Sequence, residues 1–316
     1  MVEPVVHILM STYNGSEFLE DQLNSILKQT YTNWQLIIRD DGSNDFTLEI
    51  LSQYSGRDSR ISIITDSFGN LKSCGSFSKL MQFVENSAQY IMFCDQDDIW
   101  VPAKIELSLN EILRLECKLG RDVSLLVYGT YQLISRDSTL LNIPPPRYPK
   151  ELYLELLIAQ NYVYGCTTII NSHLLRKATQ IPLEAENHDY WIALTAIVTG
   201  GVIKYLDQPL LFYRQHQNNV SGSYRDAFIY NRVIRLITSR QNKILNSRLK
   251  MLAILYFRFE NSLSISHYTL LKDYIRFVNK GGIKAVIFCI KMNIRKLSLP
   301  QTFVYYIGVF GGLRNK

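Results

Sequence analysis

Nothing in this 316-residue sequence pairs its cysteines. Cys74, Cys94, Cys117, Cys166 and Cys289 are odd in number and far apart, and no Cys-x-x-Cys motif occurs. That spacing indicates neither a zinc knuckle nor a disulfide framework, and reduced cytosol is the simplest compartment. No run of about 18 uninterrupted apolar residues is present, so no spanning helix is expected. The opening MVEPVVHILMSTYNG lacks a basic segment, and its apolar run breaks after Met10, so a signal peptide is not expected either. Internal repeats and low-complexity tracts are also missing.

Apolar residues make up 47% of the chain, enough for one medium domain with an appendage or for two small domains. The 20 tyrosines suit sugar or nucleotide surfaces, and equally an ordinary core. Charge is divided unevenly. Residues 225–316 hold 17 Lys/Arg against 3 Asp/Glu, a net +14, whereas residues 1–224 hold 17 against 25, a net −8. An acidic body suited to a cation and a basic tail suited to an anionic partner follow from this division.

Along the first 130 residues, short apolar runs alternate with helical periodicity. Strands are predicted at Val5–Met10, Trp34–Ile38, Ile61–Thr65, Tyr90–Cys94 and Val123–Tyr128. Helices are predicted at Glu17–Gln29, Thr47–Tyr54, Phe77–Val84 and from Pro102 to Leu119, where a proline in the first turn loses no hydrogen bond. This βαβ alternation predicts an α/β fold with a mixed, mostly parallel sheet flanked by helices, whose ligands lie beyond the carboxyl ends of the strands. Pro144, Pro145, Pro146 and Pro149 mark an extended break, and Asn161–Val220 mixes strand and helix signals.

Polar clusters fall at three of those strand ends. Asp95-Gln96-Asp97-Asp98-Ile99-Trp100 follows a buried strand, and an extended backbone there points Asp95 and Asp97 to one side. Two close carboxylates repel unless a proton or cation lies between them, and hard Mg²⁺ or Mn²⁺ takes such oxygens together with substrate phosphates. The bland alternative is an acidic turn, with Asp98 capping the next helix. In Arg39-Asp40-Asp41-Gly42-Ser43-Asn44-Asp45, Asp41 can accept hydrogen bonds from a base or ribose, Gly42 permits a tight turn, and Asp45 is a candidate helix cap. In Ser11-Thr12-Tyr13-Asn14-Gly15-Ser16-Glu17, backbone amides can face a nucleotide, Tyr13 can lie against its base, and Ser16 is a candidate N-cap.

Taken together, STYNG, RDDGSND and CDQDDIW resemble the donor half of family 2 glycosyltransferases with the GT-A fold. The CDQDDIW variant is similar to bacterial rhamnosyltransferases of surface polysaccharide synthesis. The resemblance runs over residues 5–220. It implies that Ser11, Tyr13, Asn14 and Asp41 contact the nucleoside part of a nucleotide sugar. Asp95 and Asp97 match the Asp-x-Asp pair that holds the metal diphosphate. Asn187-His188-Asp189-Tyr190-Trp191 matches the late acidic motif, with His188 in place of the usual Glu and Asp189 as the catalytic base. In Tyr213-Arg214-Gln215-His216, the resemblance implies that His216 approaches the metal; neutral imidazole is a plausible ligand and Arg214 a plausible phosphate partner. Asn161–Thr168 resembles the acceptor-side segment, where Gly165 would let a sugar approach the backbone.

The implied activity is inverting, metal-dependent sugar transfer, best matched by L-rhamnose from dTDP-rhamnose onto a lipid-linked glycan. UDP-hexose and UDP-N-acetylhexosamine donors are the alternatives. A nucleotidyltransferase is disfavoured because its usual Gly-rich N-terminal loop with Arg and Lys is absent. An inactive nucleotide-sugar-binding scaffold is disfavoured by the intact Asp95, Asp97 and Asp189. Residues 1–224 are expected to form the catalytic domain, with 1–130 as the nucleotide-sugar half and 131–224 as the acceptor half. Residues 225–316 are expected to form a basic helical region. Within it, Lys280–Lys296 alternates cations and apolar residues, so peripheral contact with the cytoplasmic face of a membrane is expected, and nucleic acid is not.

Overall fold

A computed structural model of the chain describes residues 3–144, 148–216 and 240–312. Residues 1–2, 145–147 (with Pro145 and Pro146 of the proline break), 217–239 (with the first part of the basic region) and 313–316 lie outside the described residues.

The first half alternates strand and helix as the apolar pattern predicts. Strands β1 (Val6–Thr12), β2 (Trp34–Asp40), β3 (Ile61–Ile64) and β4 (Tyr90–Cys94) are interleaved with helices α1 (Leu19–Leu27), α2 (Thr47–Arg57) and α3 (Lys72–Val84). The second half runs β5 (Ile99–Trp100), α4 (Lys104–Leu119), β6 (Leu125–Ile134), α5 (Leu154–Ala159), β7 (Thr168–Asn171), α6 (Ser172–Ala178), α7 (His188–Val198) and β8 (Val202–Arg214). Eight strands form one sheet in the order β3-β2-β1-β4-β7-β6-β8-β5.

The sheet is mixed but mostly parallel, as expected. β3, β2, β1 and β4 are parallel, but β7 is antiparallel to both β4 and β6, β5 is antiparallel to β8, and only β6 and β8 continue the parallel theme. Strand β6 also runs six residues past Tyr128, pairing with the end of β8 and burying Tyr131, Leu133 and Ile134 while Gln132 stays exposed.

Side-chain alternation divides the core in two. On β1 and β4, Leu9, Ile91 and Phe93 face one cluster with α3 and α7, while Val6, Ile8, Met10, Met92 and Cys94 face the other with α1 and α4. Full burial of each Leu or Ile contributes roughly 1.5–3 kcal/mol. The register pairs Thr12 with Asp40 and Met10 with Cys94, so β1, β2 and β4 end together. The three polar clusters of the sequence thus emerge at one sheet edge.

Among the described residues, four further helices follow: α8 (Arg240–Phe259), α9 (Ile265–Lys280), α10 (Gly282–Lys291) and α11 (Leu299–Gly311). Leu249, Leu252, Leu271, Tyr274 and Val309 belong to the same core cluster as Trp191 of α7. Arg248 on α8 reaches Glu186 with Nε and Nη2 at 2.7 and 2.9 Å. Among the described residues, no helix is long and apolar enough to cross a membrane.

Candidate active site

At the common strand edge, short polar side chains set the loop geometry. Asp40 accepts from Thr12 Oγ1 at 2.8 Å, from the Gly42 and Ser43 amides at 3.1 and 2.8 Å, and from Ser43 Oγ at 2.6 Å. The Asn14 amide donates to Ser43 Oγ at 2.8 Å, and Asn14 Oδ1 accepts from the Asn44 amide at 2.9 Å. Asn14 has φ +45°, which asparagine tolerates. Ser16 and Asp45 are not the caps expected of them. Helices α1 and α2 begin after Phe18 and Phe46, and Asp45 instead accepts from the amides of Ser16 and Thr47 at 3.1 and 3.0 Å. Burial raises the Asp45 carboxyl, but bonds from Thr47 and Ser16 outweigh it and hold the group at about 2.

Two residues with no role assigned from sequence fix the nucleotide-side loops. Arg39, buried at the end of β2, pairs with Asp41 and also binds Asp66 at 2.7 and 3.1 Å and the Gly69 carbonyl at 2.8 Å. Asp41 Oδ1 also accepts from the Leu71 amide at 2.8 Å, so this carboxylate is aimed from two sides. Gln96 clamps the backbone of Tyr13, accepting from its N–H at 2.8 Å and donating to its carbonyl at 3.0 Å. A Cβ on Gly15 would lie 2.9 Å from Gln96 Nε2 and closer still to Oε1, so the clamp requires glycine there.

The acidic loop begins where β4 ends. Asp95, Asp97 and Asp98 leave the strand in a bend rather than continuing extended, so Asp98 also turns inward. Asp98 is fully buried; Oδ1 accepts from the Arg214 amide at 3.2 Å, and Oδ2 has no hydrogen-bond partner among the described residues. Ligand atoms of Asp95, Asp98 and Cys166 lie within 4.8 Å of one another. Burial, helped by the nearby Asp97 and Asp189 and opposed by Lys104, pushes the Asp95 carboxyl up to about 7. Asp97 Oδ2 lies 2.7 Å from His216 Nε2. Buried Lys104 donates to the Cys166 carbonyl and sits 3.3 Å over the Trp100 ring; desolvation lowers it to about 8. The Asp95 and Asp98 carboxylates, with the buried Asp98 oxygen that has no partner among the described residues, suit a hard divalent cation, whereas the Cys166 thiol beside them is a soft donor; Asp97 and His216 contact each other and are not in that cluster.

Asp189 stands in the first turn of α7. Its Oδ2 accepts from the Gly165 amide at 2.9 Å and its Oδ1 from Asn161 Nδ2 at 3.0 Å. Burial outweighs those bonds and raises its carboxyl to about 6, within reach of general-base work near neutrality. A cleft of about 1060 Å³ gathers Ser11, Tyr13, Asn14, Asp41, Asp95, Asp97, Asp189 and His216. Asn70, Lys72 and Ser73 at the start of α3 also line it, and no sequence pattern marked them.

Two expectations change. Arg214 does not face the cleft as a phosphate partner. Its buried guanidinium binds the Asp97 carbonyl at 2.9 Å and, at 2.8 Å each, the Arg136 carbonyl, Ser138 Oγ and Asp21. It therefore braces the acidic loop from behind. Gly165 is not open space for a sugar either. A Cβ there would lie 3.0 Å from Cε1 of His188 and closer to its Nε2. The His188 ring fills that place, packed on Phe77 and Phe93 at centroid distances of 4.0 and 5.1 Å. Burial lowers this imidazole to about 3, so it is neutral.

A parallel half that ends in nucleotide-type loops, joined to a mixed half that carries a carboxylate base, defines an α/β protein of GT-A-like fold. A mannosyltransferase structure from Pyrobaculum calidifontis, solved with GDP-Man and Mn²⁺, shares this fold with TM-score 0.54 at 12% identity, covering 98% of this chain and 85% of its own. In sequence, residues 7–176 match Glycosyl transferase family 2, and the chain belongs to that family. The chain is 29% identical over 202 residues to the Escherichia coli UDP-Glc:alpha-D-GlcNAc-diphosphoundecaprenol beta-1,3-glucosyltransferase WfgD, spanning 64% of this chain and 73% of the relative. It is 27% identical over 226 residues to the Shigella flexneri dTDP-rhamnosyl transferase RfbG, spanning 68% and 74%.

Proposed function

We propose that this glycosyltransferase moves L-rhamnose from dTDP-rhamnose onto a lipid-linked glycan during bacterial polysaccharide synthesis, at the cytoplasmic face of the membrane. The observation that carries the reading is the meeting of Asp41, Asp95, Asp97, His216 and Asp189 in one cleft. Ser11, Tyr13, Asn14 and Asp41 would hold the nucleoside, with Tyr13 exposed and able to lie against a base. Asp95, Asp97 and His216 would hold Mg²⁺ or Mn²⁺, whose charge would offset that of a departing diphosphate. Asp189 accepts the proton of the acceptor hydroxyl as that oxygen bonds to the anomeric carbon. The bond from that carbon to the diphosphate breaks on the opposite face, which inverts the centre. The Gly165 amide and Asn161 keep the Asp189 carboxylate aimed while it does so. Residues 225–316 would supply the peripheral membrane contact.

The likeness to RfbG favours rhamnose. A UDP-glucose or UDP-N-acetylhexosamine donor is the second reading, favoured by the likeness to WfgD. A donor panel of dTDP-rhamnose, UDP-glucose and UDP-N-acetylglucosamine separates them. Release of nucleoside diphosphate with a lipid-linked glycan acceptor is measured with and without Mn²⁺. Turnover of dTDP-rhamnose that Mn²⁺ stimulates is expected. Turnover of UDP-glucose alone replaces the donor, and nucleotide binding without turnover of any donor returns the chain to a binding scaffold.

A further inference from the structure

We propose that the α10–α11 hairpin docks this chain on an anionic lipid bilayer, its outer face entering the headgroup region and its lysines meeting lipid phosphates. The inference deepens the membrane contact of the proposed function and rests on no choice of donor sugar.

The two helices are antiparallel neighbours. A Cβ on Gly281, just before α10, would lie 2.6 Å from the Cα of Gly312, just after α11, so the ends of the hairpin are pinned together. Each helix turns one face to the core: Ala285 and Cys289 on α10, and Tyr305 and Val309 on α11. The opposite faces remain outside and are apolar at helical spacing. On α10 they carry Ile283, Ile287 and Ile290, and on α11 Leu299, Phe303, Ile307 and Phe310. Leu299 and Phe303 are 79% and 66% exposed, far more than a core-facing helix leaves open.

Charge selects the occupant. Lys280, Lys284 and Lys291 are exposed beside this face, and no Asp or Glu occurs from Tyr274 to the end of the chain. Arg276, Lys280 and Lys284 line a cavity of about 420 Å³ with Gly281 and Gly282, at the end of the hairpin where the start of α10 meets the end of α11. Apolar side chains rimmed by cations suit the boundary between acyl chains and anionic headgroups. A second copy would set the same cations against each other.

Placement adds to this. The Leu297 amide, between the two helices, donates to Tyr162 Oη at 3.2 Å. Asn161 and Val163, the neighbours of Tyr162, line the cleft beside Asp189. The docking face is therefore tied to the acceptor edge of the site, where a lipid-anchored substrate would arrive.

Co-sedimentation of the full chain with vesicles tests the proposal. Strong binding is expected to equal parts phosphatidylcholine and phosphatidylglycerol, weak binding to phosphatidylcholine alone, and the difference should shrink with salt. Lys280→Gln with Lys284→Gln is expected to weaken binding roughly 30-fold. Phe303→Ser with Phe310→Ser should weaken it at least about tenfold, with turnover of a short water-soluble glycan acceptor retained. Loss of vesicle binding in these variants supports docking whichever sugar is transferred. Equal sedimentation of wild type and both variants overturns it, as does a solution dimer that the phenylalanine substitutions dissolve.

Discussion

Gly165→Ala tests how the base is held. The added Cβ would meet Cε1 of His188 at 3.0 Å, with Nε2 nearer and the Asp189 Cβ at 3.4 Å. An imidazole at a surface would swing aside, but this ring is packed on Phe77 and Phe93. Overpacking a closed core costs about 1–3 kcal/mol. Gly165 does not have a left-handed φ, so alanine also restricts the unfolded chain and returns roughly 0.4–1 kcal/mol. The net expectation is destabilisation of about 1–2 kcal/mol, read as a lower urea midpoint by tryptophan fluorescence with unchanged slope. Relief of the clash by backbone movement lengthens the 2.9 Å bond from the Gly165 amide to Asp189. kcat should then fall about tenfold, the loss expected of a weakened charge-assisted hydrogen bond, while KM for the donor holds. His188→Ala in the same chain makes room for the new methyl, so the double variant should recover at least about 1 kcal/mol relative to additivity. Wild-type stability in Gly165→Ala, or strict additivity in the double variant, refutes the account of His188 as the filler of that space.

Three further expectations follow from the site. Asp189→Asn should bind nucleotide normally and lose transfer by roughly 10²–10⁴-fold, measured by nucleoside diphosphate release. Because burial raises Asp189 to about 6, it is ionised above that pH and protonated below it, so kcat/KM should fall about tenfold per pH unit under pH 6; a flat profile down to pH 5 refutes this. Arg39→Ala leaves the buried Asp41 and part-buried Asp66 unpaired and should cost about 3–5 kcal/mol, with Arg39→Lys a poor rescue because one ammonium cannot reproduce the guanidinium fork. His216→Ala and Asp97→Asn should each abolish any Mn²⁺ enhancement of nucleotide binding in calorimetry, and metal-enhanced binding retained in both would remove this pair from the cation site.

Much of the donor half was legible because its signals are local. Val5–Met10 and Tyr90–Cys94 could only be buried strands, and the polar tetrapeptides after them had to sit at strand ends. The acceptor half was less legible. The direction of β7 depends on which strands flank it, and four apolar residues carry no mark of that. Gln96 and Arg39 stood within quoted motifs without a role, since their partners Tyr13 and Asp66 are distant in sequence. Arg214 was misread because a cation beside a presumed phosphate site resembles a ligand until its hydrogen bonds are placed.

By itself, the sequence determined the alternation of strand and helix in the first half, the order of the acidic motifs and the basic bias of the last 92 residues. Each is a property of neighbours along the chain, where periodicity and local charge act. Tertiary structure alone decided that Asp98 turns inward beside Asp95, that Arg214 braces the loop from behind, that His188 occupies the space at Gly165, and that α10 and α11 keep their apolar faces outside. Those outcomes depend on packing between segments far apart in sequence, and packing is settled only when the segments meet.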